Sequence, residues 1–282
     1  MPFNTDSILK QSLLLLGFCL IILSNVNGQK KLLKIYGAVA INDSVLMKST
    51  EVTVKEWIEF IVNNRFDTTL FPSKIALSKT ISEIFEDLKK VDQQKYFIFK
   101  TQSLASYNYN PVVTVHYSSY LDELLQADTT NVTINIPITG ITFEQANKFC
   151  EWKEEILNYR RSIKIKLSLP SIDIYRSAIP NIDSLNVKKC AQFNWAFCNC
   201  ATITKNKQAK SQGKALLRAD SYWPSNLGLY NIQGNAAEMT SKKGIAMGGS
   251  FRHAARDSFN DKIQTYQISE EWLGFRYIVT LK

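Results

Sequence analysis

Asn226-Leu-Gly-Leu-Tyr-Asn-Ile-Gln-Gly-Asn-Ala-Ala-Glu-Met-Thr-Ser-Lys-Lys-Gly-Ile-Ala-Met-Gly-Gly-Ser-Phe-Arg-His-Ala-Ala-Arg-Asp257 is the stretch that decides how this chain is read. Its glycines, asparagines and aromatics are packed as densely as a backbone requires where it passes close to something else. Gly228 and Gly234 punctuate an apolar run. Asn231, Asn235 and Glu238 put oxygen-bearing side chains into one short segment. Gly248 and Gly249 interrupt an expected strand, where glycine marks a bulge or a close backbone approach.

Other landmarks flank that stretch. Residues 32–48 read as two strands around the turn Asn42-Asp43-Ser44. In Glu51-Val-Thr-Val-Lys-Glu-Trp57, Thr53 and Glu56 form a capping box ahead of a helix. Trp57, Phe60 and Ile61 follow at helical spacing and belong to a core. Thr142 and Gln145 make a second capping box, followed by an apolar face of Ala146, Phe149, Cys150, Ile156 and Leu157. Ser171 after Pro170 caps a third helix. Between these landmarks, residues 64–135 read as an insertion with a helix over 81–91, a strand over 112–117 and a short helix over 118–127. His116 is read there as an ordinary strand histidine.

Length, at 282 residues, allows a substantial core, and 45% apolar with 21% charged residues is an ordinary globular balance. The start resembles a secretory leader. Lys10 is followed by an apolar run over 12–24, and Val26 and Gly28 precede a cut ahead of Gln29. Residues 1–28 are therefore expected to be a signal peptide and 29–282 one domain, with no membrane span after cleavage. Cys150, Cys190, Cys198 and Cys200 remain, an even number for an oxidising compartment. Disulfides, free buried thiols and a metal are the three readings. A Cys198–Cys200 bridge would be strained, so Cys150 is expected to pair with one of the later three, although its helix face points to the core. The chain carries a net charge of +9, and its basic loop 203–218 reads as a solvated surface loop or, as the alternative, one that attracts an acidic glycan or anionic surface. No aromatic interleaving marks a nucleic-acid site, and none is expected.

The segments Gly228-Leu-Tyr-Asn231 with Gly234-Asn235 and Glu238, then Gly248-Gly-Ser-Phe251, then Gly274-Phe-Arg276 occur in the order found in the sulfatase-modifying factor family, the formylglycine-generating enzyme domain. Pro137 to Trp152 and Leu167 to Ala178 also resemble that family, although Ser168 stands where it usually has arginine. The resemblance covers about residues 30–63 and 136–282. It implies an α+β, C-type-lectin-like fold with much irregular structure. It also implies structural calcium at Asn231, Gly234, Ala236 and Glu238, and a weaker site at Asn194 and Trp195. The family's two copper-binding, oxygen-activating cysteines fall on His253 and Ser258 in this chain, so neither copper nor formylglycine generation is expected. Only two histidines exist, too few for the histidine triad of the fold's iron-dependent sulfoxide-forming relatives. Ser250, His253 and Asp257 lie within eight residues, too close for a convergent hydrolase triad. His253, Ser258, Arg252 and Arg256 are the candidate pocket residues. Arg276 is expected to be structural, donating to buried carbonyls.

The expected protein is a secreted or periplasmic, non-catalytic family member. It would be a calcium-stabilised binding or structural component of the bacterial cell envelope, with an envelope protein or an acidic glycan as partner. The alternatives are a diverged enzyme using His253 as base or metal ligand, and a glycan-binding module.

Overall fold

The computed structural model describes residues 35, 37–73, 79–89, 134–159, 163–179, 199–203, 209–210, 216–258 and 262–282. The leader, the strand and short helix expected within 112–127, His116, Asn194, Trp195, Cys190 and Cys198 lie outside the described residues, as do the side chain of Arg256 and most of the basic loop.

Strands β1 (Ala38–Asn42) and β2 (Val45–Lys48) form the expected hairpin. Asn42 Oδ1 closes the turn by accepting from the backbone N–H of Ser44 and Val45. Helix α1 (Val54–Asn63) starts at its capping box, where Thr53 Oγ1 accepts from Glu56 N and the Glu56 carboxylate accepts from Thr53 N. A 3-10 turn, Thr68–Leu70, follows, then α2 (Lys79–Lys89). Helix α3 (Phe143–Asn158) begins at the second capping box, β3 spans Ile165–Ser168, and α4 (Ile172–Ala178) is capped by Ser171 Oγ. Short strands β4 (Thr202–Ile203) and β5 (Ala209–Lys210) pair with each other. The chain then runs through β6 (Ala237–Met239), β7 (Ile245–Met247), the turn-length helix α5 (Ala255–Ser258), β8 (Gln264–Thr265), β9 (Leu273–Gly274) and β10 (Ile278–Leu281).

One four-stranded antiparallel sheet has the order β1-β2-β10-β3, so the last strand sits between a strand near the start of the chain and one past its middle. It is covered on both faces. Leu46 and Val279 point into the larger core, while Val45, Met47 and Ile278 point into a smaller one with Tyr175, Leu229, Ile232 and Met247. The larger core is aromatic at its centre. Trp57 stacks on Phe149 at 5.6 Å, and Phe60, Trp152 and Phe275 pack around Phe149 at 5.2–5.4 Å. The indole of Trp57 donates to Leu70 O, so its one polar atom is satisfied. A second sheet has the order β8-β7-β6-β9, with β6 and β9 parallel and Glu238 opposite Gly274.

Cys150 lies on the buried face of α3 within the larger core and is a free thiol. This corrects the expected pairing, because apolar side chains enclose the sulfur and burial pushes its pKa well above the usual thiol range. Cys200 is disulfide-bonded, with its partner outside the described residues. Among the described residues no helix is long and apolar enough to cross a membrane.

Candidate functional site

The 226–257 stretch is divided by Asn235 into two neighbourhoods. Asn231 and Asn235 adopt left-handed backbone, φ 47° and 61°, which asparagine tolerates better than most residues. Asn235 is fully satisfied. Its Nδ2 donates to Glu51 Oε1 and Leu217 O, while its Oδ1 accepts from Leu217 N and Asn199 Nδ2.

On one side lies a buried charge network. Arg276, fully buried, donates from Nε and Nη2 to the two carboxylate oxygens of Glu238, both at 2.6 Å. Its remaining N–H groups reach the carbonyls of Lys48, Ser49 and Tyr230 at 2.9–3.2 Å. Arg276 is thus structural as expected, but its main partner is Glu238. Glu51 is also fully buried and belongs to the same network. Burial pushes its carboxyl up to about 8, opposed by the Arg276 guanidinium and reinforced by Glu238. Burial also raises Glu238, again opposed by Arg276; with both oxygens accepting from a cation, Glu238 is the ionised member.

Sequence reasoning missed Glu51. It reads only as the opening of a motif, and its asparagine partners lie 180 and 184 residues away. The available signal was a glutamate among valines just before a capping box.

The four residues expected to hold calcium fare unequally. Asn231 Oδ1 is buried with no hydrogen-bond partner, and a hard cation would satisfy such an oxygen. The Glu238 carboxylate is already spent on Arg276. Among the described residues no three His, Cys, Asp or Glu side chains gather in one place, so a cation here would rely on amide and carbonyl oxygens, the donors of a hard ion. The residues fit such an ion at Asn231.

On the other side of Asn235 lie the pocket candidates. Strand β7 ends at Met247, so Gly248 and Gly249 follow the strand with φ 84° and 66°. Any side chain there would collide: a Cβ on Gly248 would come within 2.5 Å of Tyr175 Oη, and one on Gly249 within 2.2 Å of Ser258 Oγ. That close approach is what the glycine pair signals in the sequence. Ser250 Oγ and His253 Nδ1 are 2.7 Å apart, and the imidazole meets Trp272 edge-on at 4.7 Å. Burial lowers the His253 pKa, partly opposed by Asp257. Ser250 is fully buried and Asp257 pairs with Lys262, so the three do not form a nucleophilic triad. Ser258 is buried against Cys200 Sγ and Ala254 O, each at 3.5 Å. Arg252, at the surface, pairs with Glu271.

A family model described as "Sulfatase-modifying factor enzyme 1-like domain" matches residues 37–281. No curated protein matches the chain. Among solved structures, CarF is similar at 16% identity and TM-score 0.39, covering 55% of this chain and 71% of its own. Treponema denticola variable protein 1 is similar at 12% identity and TM-score 0.48, over 92% and 91% of the two chains. PvdO from Pseudomonas aeruginosa is similar at 10% identity and TM-score 0.45, over 84% and 80%. With small sheets, few helices and the three motifs in order, the chain has the α+β, C-type-lectin-like fold and belongs to the sulfatase-modifying factor, or formylglycine-generating-enzyme-like, family.

Proposed function

We propose that this chain is a secreted, non-catalytic member of its family, a calcium-stabilised binding or structural component at the bacterial cell envelope. One observation carries the reading. At the two positions matching the family's redox cysteines, His253 is held by Ser250 and set against Trp272, and Ser258 is a buried hydroxyl packed on Gly249. An imidazole and a sequestered hydroxyl do not reproduce a dithiolate for cuprous ion. Calcium would be held at Asn231; the family's further positions are the carbonyls of Gly234 and Ala236 and the Glu238 side chain, which in this chain is committed to Arg276. Bound there, it would staple the loop to the sheet. The test is incubation of the purified chain with a sulfatase-motif peptide and copper. No aldehyde is expected, and aldehyde formation overturns the reading.

A second reading, a glycan-binding module, is favoured by Trp223, which is 85% exposed. Its loop is braced by Gly228 N to Ser225 O at 2.7 Å, Ser225 N to Leu229 O at 2.8 Å and the Arg218–Asp220 ion pair. A held-out indole offers a flat apolar face to a sugar ring. A glycan array run with the wild type and Trp223→Ala decides: a glycan bound by the first and lost by the second favours the module over a protein-binding scaffold.

A further inference from the structure

We propose that Glu51 supplies the charge of the calcium site. In this arrangement Glu51 Oε2, Asn231 Oδ1 and the carbonyl oxygens of Arg218 and Ala219 form one oxygen cluster for a hard cation. The proposal rests on the calcium reading above and assigns it a ligand outside the family's four positions.

Counting hydrogens carries the argument. The Asn231 Nδ2 group has two hydrogens but lies near three acceptors: Ala219 O at 2.9 Å, Arg218 O at 3.2 Å and Glu51 Oε2 at 3.4 Å. Its own oxygen, on the other arm of the amide, is buried with no partner. Asn231 is only 7% exposed, so bulk water does not supply the missing donor. With Glu51 ionised, four oxygens would share two hydrogens in a closed space. Asn235, one turn of the loop away, shows no such excess: two donors meet two acceptors, and its oxygen accepts twice.

The surplus of acceptors is what a cation resolves. Turning the Asn231 amide over brings Oδ1 to the place of Nδ2, facing the same three oxygens. Separations of 2.9–3.4 Å then match the edges of a calcium polyhedron, since ligands at ~2.4 Å and near-right angles lie ~3.4 Å apart. Charge points the same way. Glu238 is neutralised by Arg276 through both oxygens, whereas the side-chain donors to Glu51 among the described residues are the amides of Asn231 and Asn235. Glu51 is the carboxylate not already paired with a cation and free to ionise against one.

The test is calcium titration of the chelator-treated full chain by calorimetry and by melting temperature, for the wild type, Glu51→Gln and Glu238→Gln. Glutamine keeps the shape of Glu51 and removes its charge. The expected result is that the wild type binds, Glu51→Gln binds at least tenfold more weakly and loses the calcium-dependent rise in Tm, and Glu238→Gln keeps that rise from a lower starting Tm. A wild type without any calcium response overturns the calcium reading itself. A responsive wild type with an equally responsive Glu51→Gln overturns only the assignment of Glu51. A structure of the wild type with bound calcium or a lanthanide needs no variant: an ion within about 2.6 Å of Glu51 Oε2 upholds the assignment, and an ion bonded to Glu238 and not to Glu51 refutes it.

Discussion

Neutralising Glu238 should cost this fold several kcal/mol, because its carboxylate is the buried counterion of Arg276. Arg276 and Glu238 are both fully buried and joined by two hydrogen bonds of 2.6 Å. In Glu238→Gln the guanidinium keeps its burial and loses its counterion, and breaking a buried pair from one side costs about 3–5 kcal/mol. For a matched region spanning residues 37–281, at roughly 2–4 °C per kcal/mol, Tm should fall by about 6–20 °C. Arg276→Met should be at least as severe, because it also strips donors from the carbonyls of Lys48, Ser49 and Tyr230. The double change Glu238→Leu with Arg276→Met removes both charges and should recover part of the loss, a non-additivity that a double-mutant cycle measures. Urea unfolding in chelator keeps metal binding out of the comparison. A Glu238→Gln stability within about 1 kcal/mol of wild type would overturn this expectation, since it would mean that water or ionisation of the neighbouring Glu51 compensates Arg276 as well as the Glu238 carboxylate does.

Three further outcomes are expected. Gly249→Ala should destabilise by about 1–3 kcal/mol through overpacking alone, because its Cβ would lie 2.2 Å from Ser258 Oγ; denaturant midpoints check this. Burial pushes the Glu56 carboxyl up, but Lys48, Lys153 and the Thr53 backbone outweigh it and leave the pKa below the ordinary 4.5. A depressed carboxylate stabilises above its unfolded pKa and loses that contribution as pH falls through the folded one, so wild type should exceed Glu56→Gln at pH 7 and converge with it well below pH 4.5 in a Tm-versus-pH series. Cys150 should resist iodoacetamide in the native chain and alkylate once unfolded, read on its own peptide by mass spectrometry.

Local signals in the sequence carried through wherever the physics is local. Both capping boxes, the Asn42 turn and the Ser171 cap depend on groups two or three residues apart, and each forms as spacing predicts. Trp57 and Phe149 followed from helical periodicity because an apolar stripe has one place to go. Cys150 shows where two readings competed: evenness of cysteine count suggested a bridge, the apolar face of α3 suggested the core, and the core prevailed. Glu51 was illegible for a different reason. A buried carboxylate is specified by its partners, and those are the amides of Asn231 and Asn235 and the field of Arg276, all supplied by the last quarter of the chain. No window of sequence around Glu51 contains them.

That distance also explains why the network sits where it does. The sheet order β1-β2-β10-β3 brings the final strand beside the first hairpin, and Arg276 enters just before β10, at the level where Lys48 N donates to Tyr277 O. Its guanidinium then joins the end of β2, the 226–238 loop and Glu238 on β6 in one step. The first sheet and the second sheet are therefore coupled through a charge pair as well as through apolar packing. Such a pair adds little on balance against a hydrophobic replacement, but it tolerates no mispairing, because every wrong register buries an unpaired charge. Deleting β10 should consequently do more than remove one strand: with Ile278–Leu281 gone, Arg276 loses the strand that anchors it in the first sheet, and both sheets should lose amide protection together in hydrogen exchange. Protection surviving in β6 and β7 after that deletion would show that the sheets are independent units and that the Arg276 network merely lies between them.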